Sequence, residues 1–183
     1  MDNIVISSQE NILLESLKKY YSKNDKARHI IDIINGTSNV SIRMIDFLIT
    51  NYSKKNNISY KINDTNFNIY SNYKSQLKSF NKKYFDPFSR GSRIPFFFLF
   101  NDNDEDCVIT TIGQLNFFRW YLEKNIHEYI IDNIIILEKA LTSNKKSKTN
   151  IKKKSTKTKV NDNVPIIINN KEKKIENITV SFD

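Results

Sequence analysis

The sequence has little of the chemistry from which metal centres and nucleotide-binding loops are built. It contains one cysteine, Cys107, which excludes an internal disulfide, and its only histidines are His29 and His127. These three residues cannot supply the four Cys and His ligands of a structural zinc site. The three glycines are too widely spaced for a P-loop or a dinucleotide-binding turn. We therefore predict no metal site and no cofactor.

Long apolar segments are also missing. No stretch approaches the roughly 18 uninterrupted apolar residues of a membrane span. The N-terminal residues MDNIVISSQE lack the basic and apolar regions of a signal peptide. We expect a protein that is not secreted and has no membrane partner. With 183 residues and 39% hydrophobic content, the chain can form one domain with a real core, which we place at residues 1–142.

Positive charge is concentrated near the C-terminus. The net charge is +9, and residues 143–183 carry 11 Lys+Arg against 4 Asp+Glu, whereas residues 1–142 carry 18 against 16. We predict that residues 143–160 form a disordered arm, because lysines with Ser and Thr spacers bury too little apolar surface to offset the entropy of ordering. Such an arm attracts polyanions, most often nucleic acid, or serves only solubility or targeting. The lysines concerned are Lys145, Lys146, Lys148, Lys152, Lys153, Lys154, Lys157 and Lys159.

The hydrophobic pattern predicts an α+β domain that is mainly helical. Helices are predicted from Ser7 to about Tyr21, from about Asp25 to Gly36, from Ser41 to Asn56, along a stripe from Phe67 to Tyr84, and from Thr111 onward with an interruption at Asn125 and an end near residue 142. A short strand is predicted at 58–62. Residues 94–100 and 107–110 predict a β-hairpin with an acidic loop and with Pro95 near a strand start. Residues 161–183 are β-prone and predict either a docked hairpin or a linear motif for a partner.

A second basic surface is predicted between Lys74 and Arg93. Aromatic rings accompany its cations, a combination that single-stranded or backbone-directed nucleic-acid binding uses. The alternative is that the rings are core residues, the lysines form a solvated helix face, and Arg90 and Arg93 bond the turn around Asp86. The cations are Lys74, Lys78, Lys82, Lys83, Arg90 and Arg93, and the rings are Tyr84, Phe85 and Phe88.

Other candidate sites are weaker. Arg119 and Trp120 predict core packing rather than an exposed stacking pair. The acidic residues between 102 and 106 lack the glycine and glutamate of an EF-hand, so a solvated loop is the preferred interpretation. His127 and Glu128 are adjacent and point apart on a helix, and Cys107 has no base nearby in sequence. We name no catalytic residue and predict that the protein is not an enzyme.

Several segments resemble a known family. The segments are FDPFSRGSRIPFFF (85–98), TTIGQLNFFRWYLEKNIHEYI (110–130), MIDFLITNYSKKNN (44–57) and YSNYKSQLKSFNKKYFDPF (70–88). They resemble an uncharacterised protein family of large nucleocytoplasmic DNA viruses, including the mimivirus-like group. Isoleucine, asparagine and lysine supply 28, 25 and 24 residues, as an A/T-rich genome would produce. The resemblance implies a viral origin and a setting in the virion or the host cytoplasm, without a mechanism.

Two hypotheses of function follow from the sequence. The first is a non-enzymatic viral protein that binds nucleic acid with low specificity, mainly through the arm, in genome packaging or viral gene expression. The second is a protein-interaction or virion-structural module whose partner is another viral protein and whose arm is a tether. The sequence leaves the oligomeric state open.

Overall fold

The computed structural model describes residues 7–22, 26–88, 90–101 and 104–155. The chain divides into two units, residues 1–146 and 147–183. The second unit is described only as far as Ser155, where the last helix ends. The end of the predicted arm and the β-prone segment at 161–183 lie outside the described residues.

The first two helices begin and end where the sequence predicts. Helix α1 spans Ser8–Tyr21, and its capping box is complete, because Ser7 and Glu10 bond each other's backbone N–H groups. Helix α2 spans Ala27–Asn35 and ends at Gly36, whose φ of 76° is left-handed. Glycine suits that position because it has no Cβ to clash there.

The third predicted helix is present in full but is not regular. It consists of α3 (Ile42–Phe47), a π-helical turn (Leu48–Tyr52) and α4 (Ser53–Asn56). Within it, the hydroxyls of Thr50 and Ser53 each donate to a carbonyl four residues earlier, at 2.7 Å. Such back-bonding often bends helices, and the hydrophobic pattern carries no signal for it.

The predicted helical stripe from Phe67 to Tyr84 is wrong at both ends. Strands β1 (Ser59–Ile62) and β2 (Thr65–Asn68) form a hairpin that places Phe67 opposite Tyr60, and helix α5 spans only Ile69–Phe80. The turn residues Asn63 and Asp64 have φ of 46° and 62°. Positive φ at both central residues is what tight hairpin turns require, and Asn and Asp tolerate it.

Helix α5 also lies closer to the surface than predicted. Ile69 is its one buried residue, while Tyr73, Leu77 and Phe80 are half-buried against the core. The part of the stripe on α5 therefore faces the core, as expected, but does not enter it, whereas Phe67 in β2 is a core residue.

The second hairpin is confirmed. Strand β3 (Ile94–Asn101) pairs antiparallel with β4 (Asp104–Thr110), with Pro95 opposite Ile109 near the strand start. The predicted acidic loop is shorter than expected, because residues 104–106 already belong to β4.

Helix α6 (Ile112–Glu123) forms the centre of the core. Leu115, Phe117, Phe118 and Tyr121 are fully buried on it. Helix α1 packs against α6, and the Tyr21 hydroxyl donates to the Leu115 carbonyl at 2.7 Å. The fold is thus built around one almost wholly buried helix, as the dense run of apolar residues allows.

The C-terminal helices differ from the prediction in two places. Asn125 is left-handed, as an interruption there requires, but a second break at Asn133 separates α7 (Ile126–Asp132) from α8 (Ile134–Ser155). Helix α8 continues 13 residues past the predicted boundary at 142, so residues 143–155 are helical where we predicted disorder. The segment contains no Gly or Pro, and lysine is a good helix former, so propagation costs little. No helix in the described part is long and apolar enough to cross a membrane.

Candidate nucleic-acid interface and a histidine cleft

The loop after α5 is fixed to the first turns of α6. We call this arrangement the clasp, comprising residues 84–88, Arg90 and residues 110–116. The amide N–H of Asp86 donates to the Gly113 carbonyl at 3.1 Å. Side-chain amides of Gln114 and Asn116 donate to the carbonyls of Pro87 and Tyr84, each at 2.8 Å. The loop is therefore held by helix side chains instead of by secondary structure of its own.

Buried polar groups are concentrated in the clasp. Six polar or charged residues in the described part are buried, and all except Ser53 belong to it: Asp86, Thr110, Thr111, Gln114 and Asn116. Burying such groups costs free energy unless they are hydrogen-bonded. Here they are, since the Thr110 hydroxyl donates to Gln114 Oε1 at 2.7 Å and Thr111 caps α6. The clasp overlaps three of the segments that carry the family resemblance, 70–88, 85–98 and 110–130.

Arg90 stabilises the clasp by pairing with Asp86. Its guanidinium donates from Nε to one carboxylate oxygen of Asp86 at 2.9 Å and from a terminal nitrogen to the other at 2.8 Å. Burial raises the pKa of Asp86, but the bonds from Arg90 and from the backbone of Phe88 outweigh burial and hold that pKa below its usual value. The charge of Arg90 is thus already neutralised, as the alternative interpretation of this residue expected.

The predicted basic surface divides into two groups. Lys83 pairs with Glu10 at 2.9 Å, and its ammonium lies 5.0 Å from the centre of the Tyr84 ring. Lys74, Lys78, Lys82 and Arg93 are exposed, and none has an ion pair with a residue that the structure describes. Within this predicted surface, these four are the described cations that are open to an anionic ligand.

The aromatic rings of this surface differ in exposure. Phe85 is 1% exposed and packs against Trp120 and Phe117 in the core, so it cannot stack on a base. Phe88 is 44% exposed, with the Arg90 guanidinium 5.7 Å from its ring centre. Tyr84 is half-buried.

The eight lysines of the predicted arm, here called the lysine block, lie mostly on α8. Six of its eight lysines fall within that helix: Lys145, Lys146, Lys148, Lys152, Lys153 and Lys154. Lys157 and Lys159 lie outside the described residues. Positions 145, 148 and 152 are spaced by three and four residues, which is the spacing of one helix face.

Arg119 and Trp120 pack as predicted. Trp120 is buried and donates from its indole nitrogen to Asn72 Oδ1 at 2.7 Å. Arg119 donates to Ser16 Oγ at 3.2 Å and to Asn116 Oδ1 at 2.7 Å. It also lines a groove of about 350 Å³ between α1 and α6, which the sequence could not reveal because the groove joins residues about 100 positions apart.

A second cleft brings together both histidines of the chain. The rings of His29 on α2 and His127 on α7 are stacked, with centres 4.6 Å apart and planes 17° apart. They line a cleft of about 500 Å³, together with Lys26, Ser38, Asn39, Glu128, Ile131 and Asp132. The sequence carries no local signal for this site, because His29 and His127 are far apart along the chain.

Burial and the neighbouring histidine favour the neutral form of His127. Burial, with the adjacent ring of His29, lowers the pKa of His127. The Tyr121 hydroxyl lies within hydrogen-bonding distance of His127 Nδ1, at 2.9 Å, and burial raises the pKa of Tyr121. Glu128 pairs with Lys26. Proton transfer is the chemistry that such a group supports.

The described residues contain no group of three His, Cys, Asp or Glu side chains arranged to hold a metal ion. Cys107 lies in β4 as predicted, and its thiol is exposed. Stacked imidazoles direct their lone pairs along nearly parallel planes, which does not suit a shared metal ion.

Comparisons with known proteins define the class of this chain. It belongs to a family of unknown function, DUF7197, whose model matches residues 2–183. The chain is 32% identical over 171 residues to an uncharacterized protein of Acanthamoeba polyphaga mimivirus. That match covers 89% of this chain and 65% of the relative, so the chain spans about two-thirds of the relative's length. No solved structure matches. The resemblance to an uncharacterised giant-virus family is confirmed, and the protein is viral.

Proposed function

We propose that the protein binds nucleic acid with little sequence preference, mainly through the lysine block, and acts in genome packaging or viral gene expression. The observation that supports this most is the density of positive charge on one helix. Residues 145–154 of α8 contain six lysines and no acid. Lysines neutralise backbone phosphates, and this sequence-independent contact supplies essentially all of non-specific binding.

The folded surface supplies a second group of cations. Lys74 and Lys78 are four residues apart on α5 and exposed, and Lys82 follows in the next turn. Phosphate contacts need cations that are not already paired, and these three lysines meet that condition among the described residues. Arg90 does not, so we remove it from the candidate phosphate ligands. Arg93 stays a candidate.

The experiment compares two charge-neutralising variants of the full chain by fluorescence anisotropy with a labelled duplex. Changing the six α8 lysines to glutamine should remove most of the affinity. Changing Lys74, Lys78 and Lys82 to glutamine should reduce it further only if the folded surface touches the phosphates. Lys18→Gln is the control, because this exposed lysine is already paired with the exposed Glu15 at 2.9 Å. Undiminished binding by the α8 variant would contradict the proposal.

The alternative function is a protein-interaction or virion-structural module, and one feature of the fold favours it. The side chains of Phe97 and Ile109 on the β3–β4 hairpin are 54% and 58% exposed. Exposed apolar residues on a strand pair often mark contact surfaces. Phe97→Ser and Ile109→Ser should leave nucleic-acid binding unchanged, whichever of the two functions is correct. If the intact protein binds no nucleic acid at low salt, this alternative takes its place.

Where the protein acts is also a proposal. Nucleic-acid binding during packaging or expression would place it in the virion or in the viral factory of the host cytoplasm.

A further inference from the structure

The groove beside the clasp combines apolar walls with polar edges. It has a volume of about 350 Å³ and lies between α1, the end of α5 with the following turn, and α6. Its lining residues are Gln9, Ile12, Leu13, Ser16, Phe80, Tyr84 and Arg119. Ile12 is 74% exposed, so apolar surface is presented openly at the groove. Pockets for small ligands begin near this size, at about 300 Å³.

The charge around the groove favours an anionic ligand. Arg119 donates only to neutral oxygens, those of Ser16 and Asn116, and it has no ion pair with a described residue. Lys83 lies over the Tyr84 ring and pairs with Glu10, which is the one acid among the described residues in contact with it. Two cations and one carboxylate therefore surround the aromatic wall, and the arginine is not neutralised.

We propose that this groove holds one unstacked base of a single-stranded nucleic acid, with Arg119 on a flanking phosphate. The proposal rests on the proposed function and adds the strand type and the contact residues. Base stacking on an aromatic ring tolerates every sequence, because every base has a π face. Gln9 and Ser16 offer hydrogen-bonding groups to a base edge. A duplex keeps its bases stacked and cannot fill the groove, so the proposal requires single strands to bind better than duplex.

The backbone of Tyr84 is held in place by the clasp. The Tyr84 carbonyl accepts from Asn116 at 2.8 Å, and Asn116 also accepts from Arg119. One buried amide thus positions both the stacking residue and the cation. Such preorganisation reduces the entropy that binding must overcome.

The test uses the full chain and a 15-residue oligothymidylate carrying one 2-aminopurine, which loses fluorescence when it stacks. We expect tighter binding of this single strand than of a duplex of the same length at the same salt. Tyr84→Ala should weaken single-strand binding by about 5- to 150-fold, the range measured for loss of one stacking contact, and should abolish the fluorescence change. Duplex affinity should stay the same. Tyr84→Phe should bind as wild type.

The matched control is Tyr70→Ala. Tyr70 is another half-buried tyrosine with a lysine near its ring, Lys54 at 5.5 Å, and it does not line the groove. If Tyr84→Ala loses structure by circular dichroism, Arg119→Gln provides the measurement instead. It should lower the magnitude of the single-strand salt slope by about 0.7, as loss of one phosphate contact does.

Three outcomes would overturn the proposal. Equal affinity for single strand and duplex would remove the role of an unstacked base. Equal effects of Tyr84→Ala and Tyr70→Ala on single-strand affinity would show that the base does not bind in the groove. After either of these two outcomes the proposed function would stand. Poly-glutamate that binds with the same dependence on Tyr84 would assign the groove to an acidic peptide. If neither nucleic acid binds at low salt, the proposed function itself fails.

Discussion

Replacing Gly113 with alanine should destabilise the protein, although the same change usually stabilises a helix. Gly113 lies in the first turn of α6, facing the loop after α5. A Cβ at this position would lie 2.6 Å from the Lys83 carbonyl oxygen and 3.4 Å from the carbonyl carbons of Lys83 and Tyr84. The neighbouring atoms belong to backbone, and the clasp holds that backbone by hydrogen bonds from Asn116 and Asp86.

The expected magnitude is a balance of two effects. Alanine in a helix is favoured over glycine by up to about 1 kcal/mol. Overpacking of a well-packed site typically costs about 1–3 kcal/mol. We expect the clash to prevail, with a net loss of about 1–2 kcal/mol and a fall in melting temperature of about 2–8 °C for a chain of this size.

The assay is thermal unfolding followed by circular dichroism, with Gly91→Ala as the control. A Cβ at Gly91 would meet only Thr111, at 3.9 Å, which is an ordinary contact. That substitution should be neutral or should stabilise by up to about 1 kcal/mol, because it restricts the unfolded chain. A Gly113→Ala melting temperature at or above that of the wild type would contradict the close approach of the Lys83 carbonyl to α6.

Three further predictions concern the core and two ionisable groups. Leu115→Ala should lower the free energy of unfolding by about 2–5 kcal/mol, because the side chain is fully buried. Leu77→Ala should lower it by less than half as much, because Leu77 on α5 is half-buried. Equal losses in urea unfolding would contradict the placement of α5. The pKa of His127 is lowered from 6.5 in the folded protein, so on acidification the unfolded chain takes up a proton at this residue before the folded protein does. Stability should therefore fall as pH drops through 6.5. His127→Gln should lessen that fall between pH 7.5 and 5.5. Hydrogen bonds from Ser7 and Lys83 lower the pKa of Glu10 from 4.5 to about 2, so its contribution is present above pH 4.5 and lost toward pH 2; acid unfolding of Glu10→Gln that matches wild type would show that the carboxylate contributes nothing.

Local signals in the sequence were sufficient for most helix ends. Capping residues such as Ser7, Ser41 and Thr111 act within one turn of their helix, so the pattern and the structure agree. The same holds for Gly36 and Asn125, whose left-handed backbone ends or interrupts a helix locally. These elements could be predicted because their determinants lie within a few residues of each other.

The failures have two physical causes. At Phe67 a helical spacing of apolar residues competed with a turn signal at Asn63 and Asp64, and the turn prevailed. For residues 143–155 of α8, disorder was predicted because they bury little apolar surface, but helix propagation does not require burial.

The candidate sites depend on tertiary contacts that spacing does not encode. The clasp joins residues near 86 to residues near 114, and the histidine cleft joins His29 to His127. Composition shows where the cations lie along the chain, but it cannot show which of them are already paired. Arg90 and Lys74 look alike in sequence, yet only Arg90 has a carboxylate partner among the described residues.

The salt dependence of nucleic-acid binding by the intact protein tests the central proposal most directly. Each phosphate neutralised on duplex DNA contributes about 0.9 to the magnitude of the slope of log K against log salt, so contacts by the eight block lysines give at most about 7. We predict a linear plot with a slope of several units, which falls by up to about 5 when the six α8 lysines become glutamine. An affinity that does not change with salt, or no binding even at low salt, would contradict the account.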